Sequence, residues 1–165
     1  MKAKSLTISL ATILISSTGF ALSNQLSPSE EASAFKAAGY KAKGNQWRSE
    51  CGLDATGSTS YAPGKIQIAR DINKDGHIDV LITEGGTFCY GNTGTGFSLV
   101  SKESNDRWKL LISSQGIPKF LDTKGAGDWP DILIGGPGFC FPVVRWDGKK
   151  YNLHHFEYEG KRCQP

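Results

Sequence analysis

Between Asp71 and Asp79 the chain reads DINKDGHID, with Asp71, Asn73, Asp75, His77 and Asp79 on every second position. Four of these side chains end in oxygen, and His77 offers its backbone carbonyl. Hard oxygens in this number, alternating along a short loop, suit calcium, which takes six to eight such ligands in a flexible cage. Magnesium fits less well, because it demands a tight octahedron. Gly76 supplies the sharp turn that the loop needs. The spacing therefore predicts one bound calcium ion held by Asp71, Asn73, Asp75, His77 and Asp79.

The elements that must position this loop are strands. Lys65–Arg70 precedes it and Ile78–Thr83 follows, both rich in β-branched residues. An EF-hand shares the order Asp-x-Asn-x-Asp-Gly but needs flanking helices and a Glu at its twelfth position, which here is Ile82. Further strands are expected at Gly96–Ser101, Trp108–Ser113, Ile117–Leu121, Ile132–Ile134, Phe139–Trp146 and Tyr151–Tyr158. One helix is signalled: Ser27-Pro28 with Glu30 reads as an N-cap and capping box, Ala32 to Ala38 propagate it, and Gly39 ends it.

The chain also repeats itself. Asp71 falls opposite Asp122, Asp79 opposite Asp131, Val80-Leu81-Ile82 opposite Ile132-Leu133-Ile134, and Phe88-Cys89 opposite Phe139-Cys140. A period near fifty residues built of short strands suits a propeller blade. The fold expected is mainly β: two propeller-blade-like repeats, about 64–113 and 117–158, within a region 51–165, preceded by a helix and connector over 24–50. In the second copy Lys124 and Ala126 stand where ligand oxygens should be, so that copy is expected to keep the turn without an ion.

The strand-loop-strand frame with Asp-x-Asn-x-Asp-Gly-x-x-Asp resembles the FG-GAP or VCBS repeats of integrin-like β-propellers, more fully over Gly64–Gly86 than over Ile117–Pro142. The resemblance implies a calcium ion between two strands of a blade, on Asp71, Asn73, Asp75, His77 and Asp79.

Export is the expected destination. Lys2 and Lys4 precede an apolar stretch, Leu6 to Leu22, and small residues flank Leu22, so residues 1–23 read as a cleaved signal peptide that leaves no membrane anchor. The net charge of +3 owes two units to that leader; the remainder is near neutral and has no basic cluster, which argues against nucleic acid and anionic membrane as partners. Cys51, Cys89, Cys140 and Cys163 make an even count with no C-x-x-C pair, hence two disulfides in a periplasmic or secreted setting. Three pairings are open; one that joins the two ends through Cys51 and Cys163 is attractive.

Catalytic patterns are missing. There is no G-x-S-x-G, no H-E-x-x-H and no phosphate loop, and His154 and His155, consecutive on a strand, are expected to face opposite ways. No carboxylate pair is singled out, although Asp128 and Glu157 could be considered. The reading is a non-enzymatic binder of protein, acting through the loops Glu84–Phe97 and Gly135–Pro142. Phe88 and Phe139, next to cysteines, are expected to pack inward, which leaves Tyr90, Asn92, Thr93, Thr95 and Phe97, with Trp129, as the contact residues. In size, export and β-repeat character the chain resembles periplasmic immunity proteins against cell-wall amidases, which implies an enzyme or toxin as partner. The rival reading is a carbohydrate-binding module or hydrolase, with Trp129 the tryptophan best placed to stack on sugar; Trp47, Trp108 and Trp146 are expected in the core.

Overall fold

The computed structural model describes residues 26–55 and 57–165; the expected signal peptide, 1–23, lies outside them. Helix α1 (Pro28–Ala37) begins as its sequence dictates. Ser27 Oγ accepts from the Glu30 N–H while Glu30 Oε2 accepts from the Ser27 N–H, which satisfies two donors at the helix start. A short hairpin, β1 (Lys41–Lys43) and β2 (Gln46–Arg48), and a one-turn helix, α2 (Glu50–Asp54), follow; neither is visible as a periodic pattern in the sequence.

Two four-stranded meanders form the body. The first comprises β3 (Ala62–Arg70), β4 (Asp79–Gly85), β5 (Thr95–Lys102) and β6 (Trp108–Gln115), with the turn α3 (Thr87–Tyr90) between β4 and β5. The second comprises β7 (Ile117–Lys124), β8 (Pro130–Gly135), β9 (Phe141–Trp146) and β10 (Tyr151–Tyr158), edged by β11 (Lys161–Arg162). All neighbouring strands are antiparallel, in the orders β1-β2-β3-β4-β5-β6 and β11-β10-β9-β8-β7. The mainly β, two-repeat, helix-capped and disulfide-stapled fold expected from the sequence is the one found. Phe139 lies outside the strand expected at Phe139–Trp146, which starts only at Phe141, because Cys140 turns through a positive φ of 62°.

Alternation decides how the sheets pack. In the first sheet Val80, Ile82 and Val100 face α1 and close over Ala34, Phe35 and Tyr40, with Trp47 stacked on Phe35 at 5.1 Å. Leu81, Leu99 and Phe97 point the other way and meet Ile132, Val144, Trp129 and Trp146 of the second sheet. Ile132 and Ile134 are the repeat equivalents of Val80 and Ile82. The two sheets therefore stack head to tail, with α1 on the outer face of the first. Each large apolar side chain buried in this way contributes roughly 1.5–3 kcal/mol.

Cys51 is bonded to Cys89 and Cys140 to Cys163, so the ends are not joined through Cys51 and Cys163. Each bridge instead ties the β4–β5 or β8–β9 loop to a flanking segment: α2 in the first repeat, the C-terminal tail in the second. Among the described residues no helix is long and apolar enough to cross a membrane.

Candidate functional site

The β3–β4 loop folds around its own carboxylates. Asp71 Oδ1 accepts from the N–H groups of Lys74 and Asp75, and Oδ2 from that of Gly76, whose φ of 88° makes the turn. Asp75 accepts from the His77 N–H and from Asn73 Nδ2. Asp79 is wholly buried and accepts from the Ile72 N–H through Oδ2. Two acceptors are then left over: among the described residues Asn73 Oδ1 and Asp79 Oδ1 are buried without a hydrogen-bond partner. Burial pushes the Asp79 carboxyl up to about 6, and the charges of Asp75 and Asp71 add to that rise, while the Ser101 hydroxyl and the Ile72 N–H work against it. No group of three or more His, Cys, Asp or Glu side chains among the described residues converges in a metal-holding arrangement.

The second repeat carries an internal control. Asp131, the equivalent of Asp79, is also wholly buried, but Arg145 donates to both its oxygens, Nε to Oδ1 at 2.9 Å and a terminal nitrogen to Oδ2 at 2.7 Å. Thr123 adds a third bond to Oδ2, at 2.6 Å. Burial alone would raise the Asp131 carboxyl; the Arg145 and Thr123 bonds outweigh it and hold the group below the usual range. Register explains the substitution. Asp79 pairs across the ladder with Ser101. The pairings Leu133 with Val143 and Ile132 with Val144, continued by one residue, put Arg145 opposite Asp131. One repeat supplies its buried carboxylate with a fixed cation; the other places a serine there. The oxygen-only donor set and the two orphaned acceptors fit a calcium ion at the first. Sequence reasoning missed Arg145, although its place opposite Asp131 follows from strand register.

The opposite end of the blades carries the loops expected to make contacts, and their residues are distributed differently from the expectation. Phe97 is only 1 % exposed and Trp129 only 6 %, both built into the inter-sheet core, so neither offers a surface. Trp129 lies 6.2 Å from Trp146, and its loop folds back because the Gly125 N–H donates to the Trp129 carbonyl. Tyr90 is half-buried and donates its hydroxyl to Glu84. Asn92 is exposed, Thr93 accepts from Gln115 Nε2, and Thr95 opens β5. By contrast Phe88 and Phe139, expected inside, are 61 % and 70 % exposed. Each stands beside its cystine at the same end of its blade. The two loops meet where Thr93 lies against Gly136. Exposed Ile117 and Tyr158 extend the patch, Tyr158 meeting Phe139 edge-on at 6.5 Å.

Glu84 was also missed. Alternation with Val80 and Ile82 puts it on the buried face, where the Ser49 N–H and the hydroxyls of Tyr61 and Tyr90 occupy its oxygens. A β-bulge between Leu153 and His155 brings the His154 and His155 rings within 5.0 Å, so they do not face apart as expected. Asp128 pairs with Lys124 at the β7–β8 turn, whereas Glu157 is paired with Phe141 at the other end of that sheet, so the two carboxyls do not form a catalytic couple.

Comparison with known proteins finds no matching family model, no matching curated protein and no matching solved structure.

Proposed function

We propose that this is an exported, non-enzymatic β-repeat protein, stapled by one calcium ion in the β3–β4 loop, that works by binding a protein partner through the Phe88–Phe139 end. The observation that carries the binding reading is the pair of equivalent phenylalanines, one per repeat, held out in solvent beside a disulfide each. Aromatic anchors on pre-organised loops are the usual centre of a protein contact. Apolar rings kept exposed at matching positions of both repeats cost solubility unless they are covered by something. The partner we assign is a cell-wall hydrolase of amidase type, whose cleft would accept the paired loops. Two disulfides and a leader-like N-terminus agree with a periplasmic or secreted setting.

The test is calorimetric titration of the protein into purified cell-wall amidases, alongside the Phe88→Ala, Phe139→Ala double variant. The variant should melt as the parent does, since exposed side chains contribute within about 0.5 kcal/mol. It should also lose at least about 2.8 kcal/mol of binding, a hundredfold in Kd. Equal binding by parent and variant would remove the docking end from the proposal. An absence of binding to every amidase would remove the assigned partner.

A further inference from the structure

Beside the docking end, between the C-terminal end of α1 and the β5–β6 pair, lies a partly enclosed cavity of about 210 Å³. Its polar wall is made almost wholly of neutral groups: Tyr40, Ser49, Tyr90, Ser98, Ser113 and Gln115. These groups are already organised by one another. Ser98 Oγ donates to Ser113 Oγ at 3.1 Å, which joins the buried face of β5 to the edge strand β6. The Ser49 N–H and the Tyr90 hydroxyl both donate to the buried carboxylate of Glu84. Gln115 fixes its amide at the mouth by donating to the Tyr90 carbonyl at 2.7 Å. The Tyr90 ring is held flat over Gly96, where a Cβ would stand 2.2 Å from it, so the chain keeps a glycine there to seat the ring.

We infer that this cavity is a binding site for one neutral, polyhydroxylated ring, a hexopyranose. No charged side chain lines it among the described residues, and the nearest carboxylate, Glu84, has its oxygens occupied behind Tyr90. A phosphate or carboxylate ligand would find no cationic donor, and a metal ion would find no free carboxylate. Each hydroxyl carries one donor and two acceptor sites, more than the internal bonds consume, so the wall still offers both to a ligand that brings both. A tyrosine face beside such a wall is the apolar surface on which the C–H face of a sugar ring rests. The volume is below the roughly 300 Å³ at which drug-sized pockets begin, so it admits a single ring. Such a ring comes either as a free sugar or as the end of a glycan chain.

The experiment is a ¹⁵N-labelled titration of the protein, in calcium, with glucose, N-acetylglucosamine and chitobiose, and with gluconate as the charged control. Saturable shifts of the Ser98, Ser113 and Gln115 amides are expected with roughly millimolar Kd for a neutral sugar, and none with gluconate. Ser113 is exposed on an edge strand, so Ser113→Phe should fill the cavity, leave the remaining spectrum in place and weaken binding at least tenfold. Should that variant misfold, Gln115→Ala serves, with the same expected loss. Chitobiose binding more tightly than N-acetylglucosamine would assign a glycan end, and the reverse a free sugar. No saturable shift with any neutral sugar, or shifts that survive both variants unchanged, would leave the cavity a water-filled gap and overturn the inference. Amidase binding through Phe88 and Phe139 is read separately and stands or falls on its own.

Discussion

Replacing Ser101 with Arg moves the second repeat's solution into the first. Ser101 stands opposite Asp79 as Arg145 stands opposite Asp131. A cleft of about 350 Å³ lined by Asp75, His77, Ser101, Trp129 and Trp146 leaves room for the longer side chain. The magnitude follows from the orphaned acceptors. Leaving Asn73 Oδ1 and Asp79 Oδ1 buried and unpaired costs roughly 1–3 kcal/mol each, about 2–6 kcal/mol together. Calcium at a hundredfold excess over its Kd stabilises the folded state by about 2.7 kcal/mol. At about 3–4 °C per kcal/mol for a domain of this size, the unsubstituted protein should melt roughly 8–11 °C higher in calcium than in chelator. In the Ser101→Arg variant the guanidinium takes the place of the ion. Its melting temperature in chelator should rise by about 5 °C, and the further rise on adding calcium should fall below about 2 °C. Thermal scans by circular dichroism, with and without chelator, decide the matter. A variant that keeps the full calcium response would show that the ion does not serve Asp79. An unsubstituted protein with no calcium response at all would remove the metal from the proposal.

The reciprocal change, Arg145→Ser, leaves Asp131 buried without its cation; urea unfolding should show a loss of about 3 kcal/mol that calcium does not restore, because Lys124 and Ala126 replace the loop oxygens there. Converting Cys140 and Cys163 to Ala opens a loop spanning 23 residues and should cost about 3.4 kcal/mol, against about 3.9 kcal/mol for the 38-residue span of Cys51 and Cys89, measured by the same assay under oxidising conditions. The Glu30 carboxyl is held down to about 2 by the Ser27 backbone and side-chain bonds and by Lys102. Because its folded pKa lies below the unfolded one, its contribution is complete above about 4.5 and fades as pH falls towards 2. Ser27→Ala should cost about 1 kcal/mol at neutral pH and flatten that part of the pH–stability curve in calorimetric scans.

Local and periodic features of this chain were legible because they are encoded in adjacent residues. The capping box needs only Ser27, Pro28 and Glu30, and the repeat shows in the alignment of Asp79 with Asp131 and of the apolar triplets that follow. What resisted reading depends on contacts distant in sequence. The partner of Cys89 is fixed by α2, five residues long and too short to show a period. Trp129, between Asp128 and Pro130, reads as an exposed loop residue, yet its loop carries it back between the sheets. Phe88 and Phe139 sit beside buried or half-buried cysteines and inherit the expectation of burial. The short turns that place the cystines inward swing the preceding side chain outward.

The difference between the two buried aspartates follows from head-to-tail packing. Asp131 and Arg145 lie on the face of the second sheet that points away from the first, so the partly exposed Arg145 side chain reaches Asp131 without entering the interface between the sheets. Asp79 and Ser101 lie on the face of the first sheet that packs against the second, beside Trp129 and Trp146. A long cationic side chain there would occupy the cleft between the two sheets, beside Trp129, Trp146 and Lys109. The calcium ion of the proposed function would supply the same charge from the β3–β4 loop, without a long side chain in that interface. The loop is also at the end of β4 opposite Phe88. On the proposed function, calcium would therefore bear on stability, and would reach recognition only through β4, which runs from Asp79 to Gly85 towards the Phe88 loop.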